Sequence, residues 1–94
     1  MTTKADLVWN ISVLLEVDPP RMSTGSTEPR EIFDLVNETL GLGLDGTLTK
    51  PDLARGIVEA AGMPWEVDCE SRGGTVTLSG LQAVERSVRF LLGQ

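Results

Sequence analysis

Four short segments of this chain carry apolar side chains at the spacing of an amphipathic helix, with glycine, proline and hydroxyl residues between them. The second segment shows the pattern most clearly, since Ile32, Phe33, Val36 and Leu40 share one helical face before Gly41. Aromatic residues make up only 4% of the chain, so aliphatic side chains must build the core. We therefore predict a mainly α fold with four main helices, in one small domain over residues 1–94.

The helices are predicted at residues 3–17, 28–40 and 50–61, and from Ser79 to the end of the chain. Three of them begin at a hydroxyl residue placed three positions before Asp or Gln, as in a capping box: Thr3 and Asp6, Thr49 and Asp52, Ser79 and Gln82. Trp9 and Val13 lie outside the apolar face of the first helix. This helix is therefore expected to pack on two sides or to cover a partner. The two terminal helices are expected to pack together.

The chain contains two copies of the pattern Gly-Thr-apolar-Thr, at residues 46–49 and 74–77. Threonine and valine favour extended structure, and an isolated strand needs a partner for its backbone groups. We predict that Thr47–Thr49 pairs with Thr75–Thr77 in a minimal two-stranded β element.

The first copy also lies in the stretch LDGTLTKPDLARG, residues 44–56, which is similar to the second half of a calcium-binding loop. With Gly46 at the sixth loop position, Asp52 falls at the twelfth, but Gly41 and Gly43 fall at the first and third. Glycine has no side-chain oxygen, so this loop lacks two of the main ligands that calcium requires. We predict no metal site.

The inventory of chemical groups is poor for catalysis, because the chain has no histidine and a single cysteine, Cys69. Asp68 and Glu70 flank this cysteine, and their negative charges oppose formation of a thiolate. We expect a buried structural thiol, no catalytic residues and no cofactor. No apolar run is long enough for a membrane span and no secretory signal is evident, so a cytoplasmic location is expected.

The order of the predicted elements matches a winged helix-turn-helix, a fold that binds DNA. Its recognition segment would be Pro64 to Arg72, which reads either as a short helix or turn, or as a strand in which Trp65, Val67 and Cys69 alternate. The hydroxyl- and glycine-rich loops at 23–27 and 71–75 can hold a phosphate or can serve as ordinary turns. The candidate DNA contacts are Lys50, Arg55, Ser71, Arg72 and Thr75.

The run LARGIVEAAGMPWEVDCESRGGTVTLSGLQAVERSVRFLL, residues 53–92, resembles small accessory domains at the ends of bacterial restriction endonucleases. The positions that carry the resemblance are Gly62, Pro64, Trp65, Cys69, Ser71 and Gly74–Thr77. It implies a DNA-recognition or regulatory module, with a nuclease domain elsewhere in the same longer chain. Residues 1–94 would then be an N-terminal domain of that protein.

Two functional hypotheses follow from these patterns. The first is a non-catalytic module that binds double-stranded DNA within a restriction or DNA-processing protein. The second is a protein-interaction or dimerisation module, suggested by the very apolar first helix and by a net charge of −6. Such a charge is unfavourable for binding the phosphate backbone over the whole surface, although a local basic face would suffice.

Overall fold

The computed structural model describes residues 2–21, 28–71 and 73–93. These ranges contain four α-helices: α1 (Lys4–Leu15), α2 (Arg30–Leu40), α3 (Lys50–Ala60) and α4 (Leu78–Leu91). A short 3₁₀ turn at Val67–Cys69 lies between α3 and α4. The mainly α fold with four main helices is confirmed, and the ambiguous segment 64–72 contains this turn. The loop at 23–27 lies outside the described residues.

The predicted beginnings of α1 and α3 are confirmed, because Thr3 and Thr49 each accept a hydrogen bond from the backbone N–H three residues later. The predicted beginning of α4 at Ser79 is wrong. Thr77 is the N-cap residue, and its hydroxyl oxygen accepts from the N–H of Gly80 at 3.1 Å. The extended backbone at Thr77 directs its side chain toward that N–H, which places Ser79 inside the first helical turn.

The predicted two-stranded β element is wrong within the described ranges, which contain one antiparallel bridge, between Glu70 and Val76. The first predicted strand is a turn, because Thr47 donates both its backbone N–H and its hydroxyl to the Asp45 carboxylate, at 2.9 and 2.7 Å. The second stops after one bridged residue because Thr77 already caps α4. The hairpin wing of a winged helix-turn-helix is therefore not seen in these ranges.

The core is aliphatic, as predicted, and α4 lies at its centre. This helix packs against α1, α3 and the 3₁₀ turn, while α2 packs against α1 and α3. The expectation that the terminal helices pack together is confirmed. Side chains with no exposed surface include Ile11, Phe33, Leu53, Ile57, Leu81 and Val84. Among the described residues, no helix combines the length and apolar character that crossing a membrane requires.

The first turn of α4 passes very close to the 3₁₀ turn, and Gly80 makes that approach possible. A Cβ atom at this position would overlap the carbonyl oxygen of Cys69 and a methyl group of Val76. The same approach covers Cys69, which is buried as predicted. Glycine is thus needed at residue 80 for close packing and not for an unusual backbone angle.

Candidate functional site

Glu28 is the most unusual polar residue of the described structure, because it is an acidic side chain with no exposed surface. The sequence analysis placed it at the start of the second helix. The helix instead begins at Arg30, after Pro29 as N-cap residue, so Glu28 lies just outside it. From there its side chain enters the protein instead of pointing to solvent.

The Glu28 side chain connects three parts of the chain that are distant in sequence. One carboxylate oxygen accepts from the backbone N–H of Val76 at 2.5 Å, and the other accepts from the Lys4 ammonium at 3.0 Å. The Lys50 ammonium lies 3.6 Å from the carboxylate and donates to the carbonyl oxygen of Glu28 at 3.0 Å. Lys4 and Lys50 are the first residues of α1 and α3, so both helices begin around this carboxylate. We call these four residues the Glu28 junction.

The charged form of Glu28 is favoured despite its burial. Burial by itself raises the pKa of this carboxyl group, but hydrogen bonds from the N–H groups of Val76 and of Glu28 itself, together with Lys4, lower it below the usual value of 4.5. Glu28 is therefore an anion at neutral pH. Its oxygens already have partners within the chain, which suits a structural role and not the binding of a ligand.

The sequence analysis missed the Glu28 junction, although a signal for it is present. The chain contains TKADL at residues 3–7 and TKPDL at residues 49–53, so a lysine follows the capping threonine in both copies. A cation in the first turn of a helix is unfavourable because of the helix dipole. Each copy also has an acidic residue in the same turn, Asp6 or Asp52, so the lysines are only a weak signal for a further anion and do not name a carboxylate.

The residues predicted to contact DNA are largely occupied by contacts within the chain. The Lys50 ammonium belongs to the Glu28 junction, and Arg55 pairs at 3.1 Å with the carboxylate three residues earlier on α3. The hydroxyl oxygens of Ser71 and Thr75 lie 2.5 Å apart, so they bond to each other across a turn. Arg72 is outside the described residues.

A cleft of about 380 Å³ separates the 3₁₀ turn from the first half of α4. Its walls combine apolar and charged side chains, and they are formed by Met63, Pro64, Glu66, Asp68, Cys69, Ser79, Gln82, Ala83 and Arg86. In the described part of the chain, no three His, Cys, Asp or Glu residues are close enough together to hold a metal ion. The Asp45 carboxylate of the calcium-like stretch is occupied by Thr47, whose N–H and hydroxyl lower the pKa of Asp45.

The surface charge is unbalanced, because many cations are neutralised within the chain and many carboxylates face solvent. Among the basic residues that the structure describes, five form ion pairs with carboxylates of this chain: Lys4, Arg30, Lys50, Arg55 and Arg89. Ten acidic residues are exposed: Asp6, Glu16, Asp18, Glu31, Glu38, Asp45, Glu59, Glu66, Asp68 and Glu70. The potential around the molecule is therefore negative over much of its surface.

Four large apolar side chains are exposed in the described structure. Trp9 and Val13 lie one turn apart on α1 and are 58% and 59% exposed. Val67 in the 3₁₀ turn is 96% exposed, and Phe90 near the end of α4 is 62% exposed. Only the α1 pair forms a stripe along a single helix, and we call it the α1 face. Its position outside the buried side of the helix agrees with the sequence prediction.

No protein-family model, no curated protein sequence and no solved structure matches this chain.

Proposed function

We propose that this chain is a non-catalytic protein-interaction module that binds a partner protein through the α1 face. The observation that carries the proposal is the exposure of Trp9 beside Val13. Tryptophan has the largest apolar side chain available, and Trp9 stays largely exposed, whereas Trp65 packs against the core. Exposed tryptophan is enriched at the energetic centres of protein interfaces, which supports a binding role for this face.

The α1 face offers enough apolar surface to anchor a partner. Covering the exposed parts of Trp9 and Val13 removes on the order of 200 Å² from water, which is worth about 5 kcal/mol before the costs of association. This contribution suits the central contact of an interface. The rest of a stable interface, which typically buries about 800 Å² on each side, would come from neighbouring polar surface.

The non-catalytic part of the proposal rests on the chemical groups at hand. The chain has no histidine, and its only thiol, Cys69, is covered by α4 and flanked by Asp68 and Glu70. A nucleophile needs access to substrate and a neighbouring base. Cys69 lines the cleft beside it but is only 2% exposed, so its thiol has little access to a substrate.

The proposal is tested by placing a photo-crosslinking amino acid at Val13 in the full-length protein, in cells that produce it naturally. We expect a specific crosslink to a partner protein, identified by mass spectrometry. The matched control places the same group at Glu59, an exposed position on α3. Crosslinking at residue 13 that is no stronger than at residue 59 would refute the proposed role of the α1 face.

DNA recognition within a restriction or DNA-processing protein is a second candidate function. Two of its predicted contact residues, Lys50 and Thr75, lie in regions that are close together in the structure. Glu28 contacts both Lys50 and Val76, the residue next to Thr75. Duplex DNA binding at low salt, measured by fluorescence anisotropy, tests this candidate. It predicts an affinity that falls as salt rises and that Arg55→Ala weakens, since Arg55 is the exposed cation on α3. A lack of binding to both unmodified and modified duplexes would eliminate it.

A further inference from the structure

The exposed side of α1 has a fixed order of charged and apolar groups. Asp6, Trp9 and Val13 are spaced by three and four residues, so they lie along one side of the helix. Glu16 follows three residues after Val13 as the C-cap residue, where the backbone is left-handed (φ 58°). All four side chains are exposed. A carboxylate therefore lies about one turn before the apolar pair and another about one turn after it. At 1.5 Å per residue, the backbone positions of Asp6 and Glu16 are about 15 Å apart along the helix axis.

No cation of α1 compensates for these two carboxylates. The only basic residue of the helix, Lys4, is turned toward the interior and pairs with Glu28 at 3.0 Å. Asp6 uses one carboxylate oxygen to accept from the N–H of Thr3 at 3.0 Å, but it keeps its negative charge. The α1 face thus lies between two exposed acidic residues, on a chain with a net charge of −6.

This order of groups decides between a second copy of the chain and a different partner. Two copies that met through antiparallel α1 helices would place Asp6 of one against Glu16 of the other. Parallel helices would place each carboxylate against its own counterpart. Both arrangements bring like charges together at the edge of an apolar contact, which is unfavourable, and each copy carries a net charge of −6.

Resting on the interaction role proposed above, we infer that the α1 face binds a basic amphipathic helix of another protein. Such a helix would offer apolar side chains to Trp9 and Val13, and Lys or Arg on both sides of them. Because Asp6 and Glu16 are about 15 Å apart along α1 at the level of the backbone, its two cations would be about ten residues apart in sequence. Helix packing through a shared apolar stripe with flanking charges is a common mode of recognition.

The inference is tested with a synthetic helical peptide of about 20 residues built from Leu, Ala and Lys, with leucines on one face and a fluorescent label at one end. Two matched peptides serve as comparisons. In one, every Lys is replaced by Glu. In the other, the composition is kept and the order is scrambled so that the leucines no longer share a face. Binding to the whole protein is followed by fluorescence anisotropy at low and moderate salt.

We expect the cationic amphipathic peptide to bind, and Trp9→Ala to weaken its binding by about tenfold, as is typical when an interface anchor is removed. Asp6→Asn and Glu16→Gln together should weaken it several-fold and reduce its dependence on salt. Phe90→Ala is the matched control, since Phe90 is an equally exposed aromatic residue on another helix, and it should leave binding unchanged. Circular dichroism verifies that each variant is folded.

Three results would overturn the inference. The first is no binding of the cationic amphipathic peptide, and the second is binding of the Glu peptide as tight as that of the cationic one. The third is binding of the scrambled peptide as tight as that of the cationic one, together with no effect of Trp9→Ala on the binding of the cationic peptide. These results are separable from the crosslinking test of the proposed function. A crosslinked partner together with a failed peptide experiment would keep the interaction role and reject the basic helix. Crosslinking of the chain to itself would identify a second copy as the occupant and also reject it.

Discussion

Replacing Glu28 by alanine is the most informative perturbation of this fold, because one side chain holds three separate segments together. The change removes the hydrogen-bond acceptor of the Val76 N–H and the counter-ion of Lys4 and Lys50. It also leaves a cavity where the carboxylate was. The two lysine side chains are 25% and 22% exposed, so their charged ends can turn toward water after the loss of Glu28.

The expected destabilisation is about 3–5 kcal/mol, from the loss of one partner of a buried ion pair. Within that total, an unsatisfied buried N–H accounts for about 1–3 kcal/mol. Partial hydration of the lysines favours the lower part of the range. At about 0.05–0.15 kcal/mol per residue, a domain of this length has a free energy of unfolding of roughly 5–14 kcal/mol. Glu28→Ala should therefore leave a free energy of unfolding between about zero and 11 kcal/mol, depending on the stability of the wild type.

Urea denaturation followed by circular dichroism measures this change as a lower midpoint. Glu28→Gln is the conservative variant, since it keeps the volume and the acceptor for Val76 but loses the charge, and we expect about 2 kcal/mol of destabilisation. Glu59→Gln is the control at an exposed position and should stay within about 0.5 kcal/mol of the wild type. A loss below about 1 kcal/mol for Glu28→Ala would show that the Glu28 junction does not hold the fold together.

The pH dependence gives an independent test with a definite sign. The pKa of Glu28 is lowered in the folded state from its usual value of 4.5, chiefly by the Val76 N–H, its own N–H and Lys4, which outweigh burial. Its contribution to stability is therefore fully present above that usual value and is lost as the pH falls through the lowered folded pKa. The difference in free energy of unfolding between the wild type and Glu28→Gln should become smaller as the pH is lowered. A gap that stays constant down to pH 3 or so would contradict this linkage.

Three further predictions concern α4 and its contacts. Gly80→Ala should lower the free energy of unfolding, measured by urea titration, by about 2 kcal/mol or more, because the added methyl group overlaps the Cys69 carbonyl. Gly46→Ala is the control, since the space around residue 46 is open, and it should lower the free energy of unfolding by no more than about 0.5 kcal/mol. Thr77→Ala should lower the free energy of unfolding by about 1 kcal/mol through the loss of a helix cap, and therefore lower the thermal midpoint, whereas Ser79→Ala should have little effect on that midpoint. A larger effect of Ser79→Ala than of Thr77→Ala would show that Ser79 is the cap. The Cys69 thiol should react slowly with an aromatic disulfide reagent in the folded protein and rapidly in urea, and fast reaction without denaturant would show that this region opens readily.

Local sequence patterns were sufficient for the helices and for part of the candidate surface. The apolar periodicity predicted four helices, and the threonine at the start of α1 and of α3 marked where each begins. The same periodicity placed Trp9 and Val13 outside the buried side of α1, where the structure also has them. These features depend on residues a few positions apart, so the pattern of a short segment contains the information that decides them.

Local patterns failed where two local preferences competed. Threonine has high β propensity, which predicted strands at both copies of the pattern. Thr47 instead forms a turn with Asp45, and Thr77 instead caps α4. Ser79 had the spacing of a capping box, but Thr77, two residues earlier, provides the cap. In each case a side-chain hydrogen bond to nearby backbone took the place of the predicted element.

The sequence by itself determined the helical class of this protein, its aliphatic core and the composition of the α1 face, because each depends on residue type and short-range spacing. Only the tertiary structure decided that Glu28 is a buried anion, since its partners Lys4 and Lys50 lie 24 and 22 residues away in sequence and Val76 lies 48 away. The repeated Thr-Lys-x-Asp-Leu pattern is a weak signal for a further anion near the two lysines and does not name it. A charge becomes stable inside a protein only when packing brings its partners to it, and that depends on how the helices assemble.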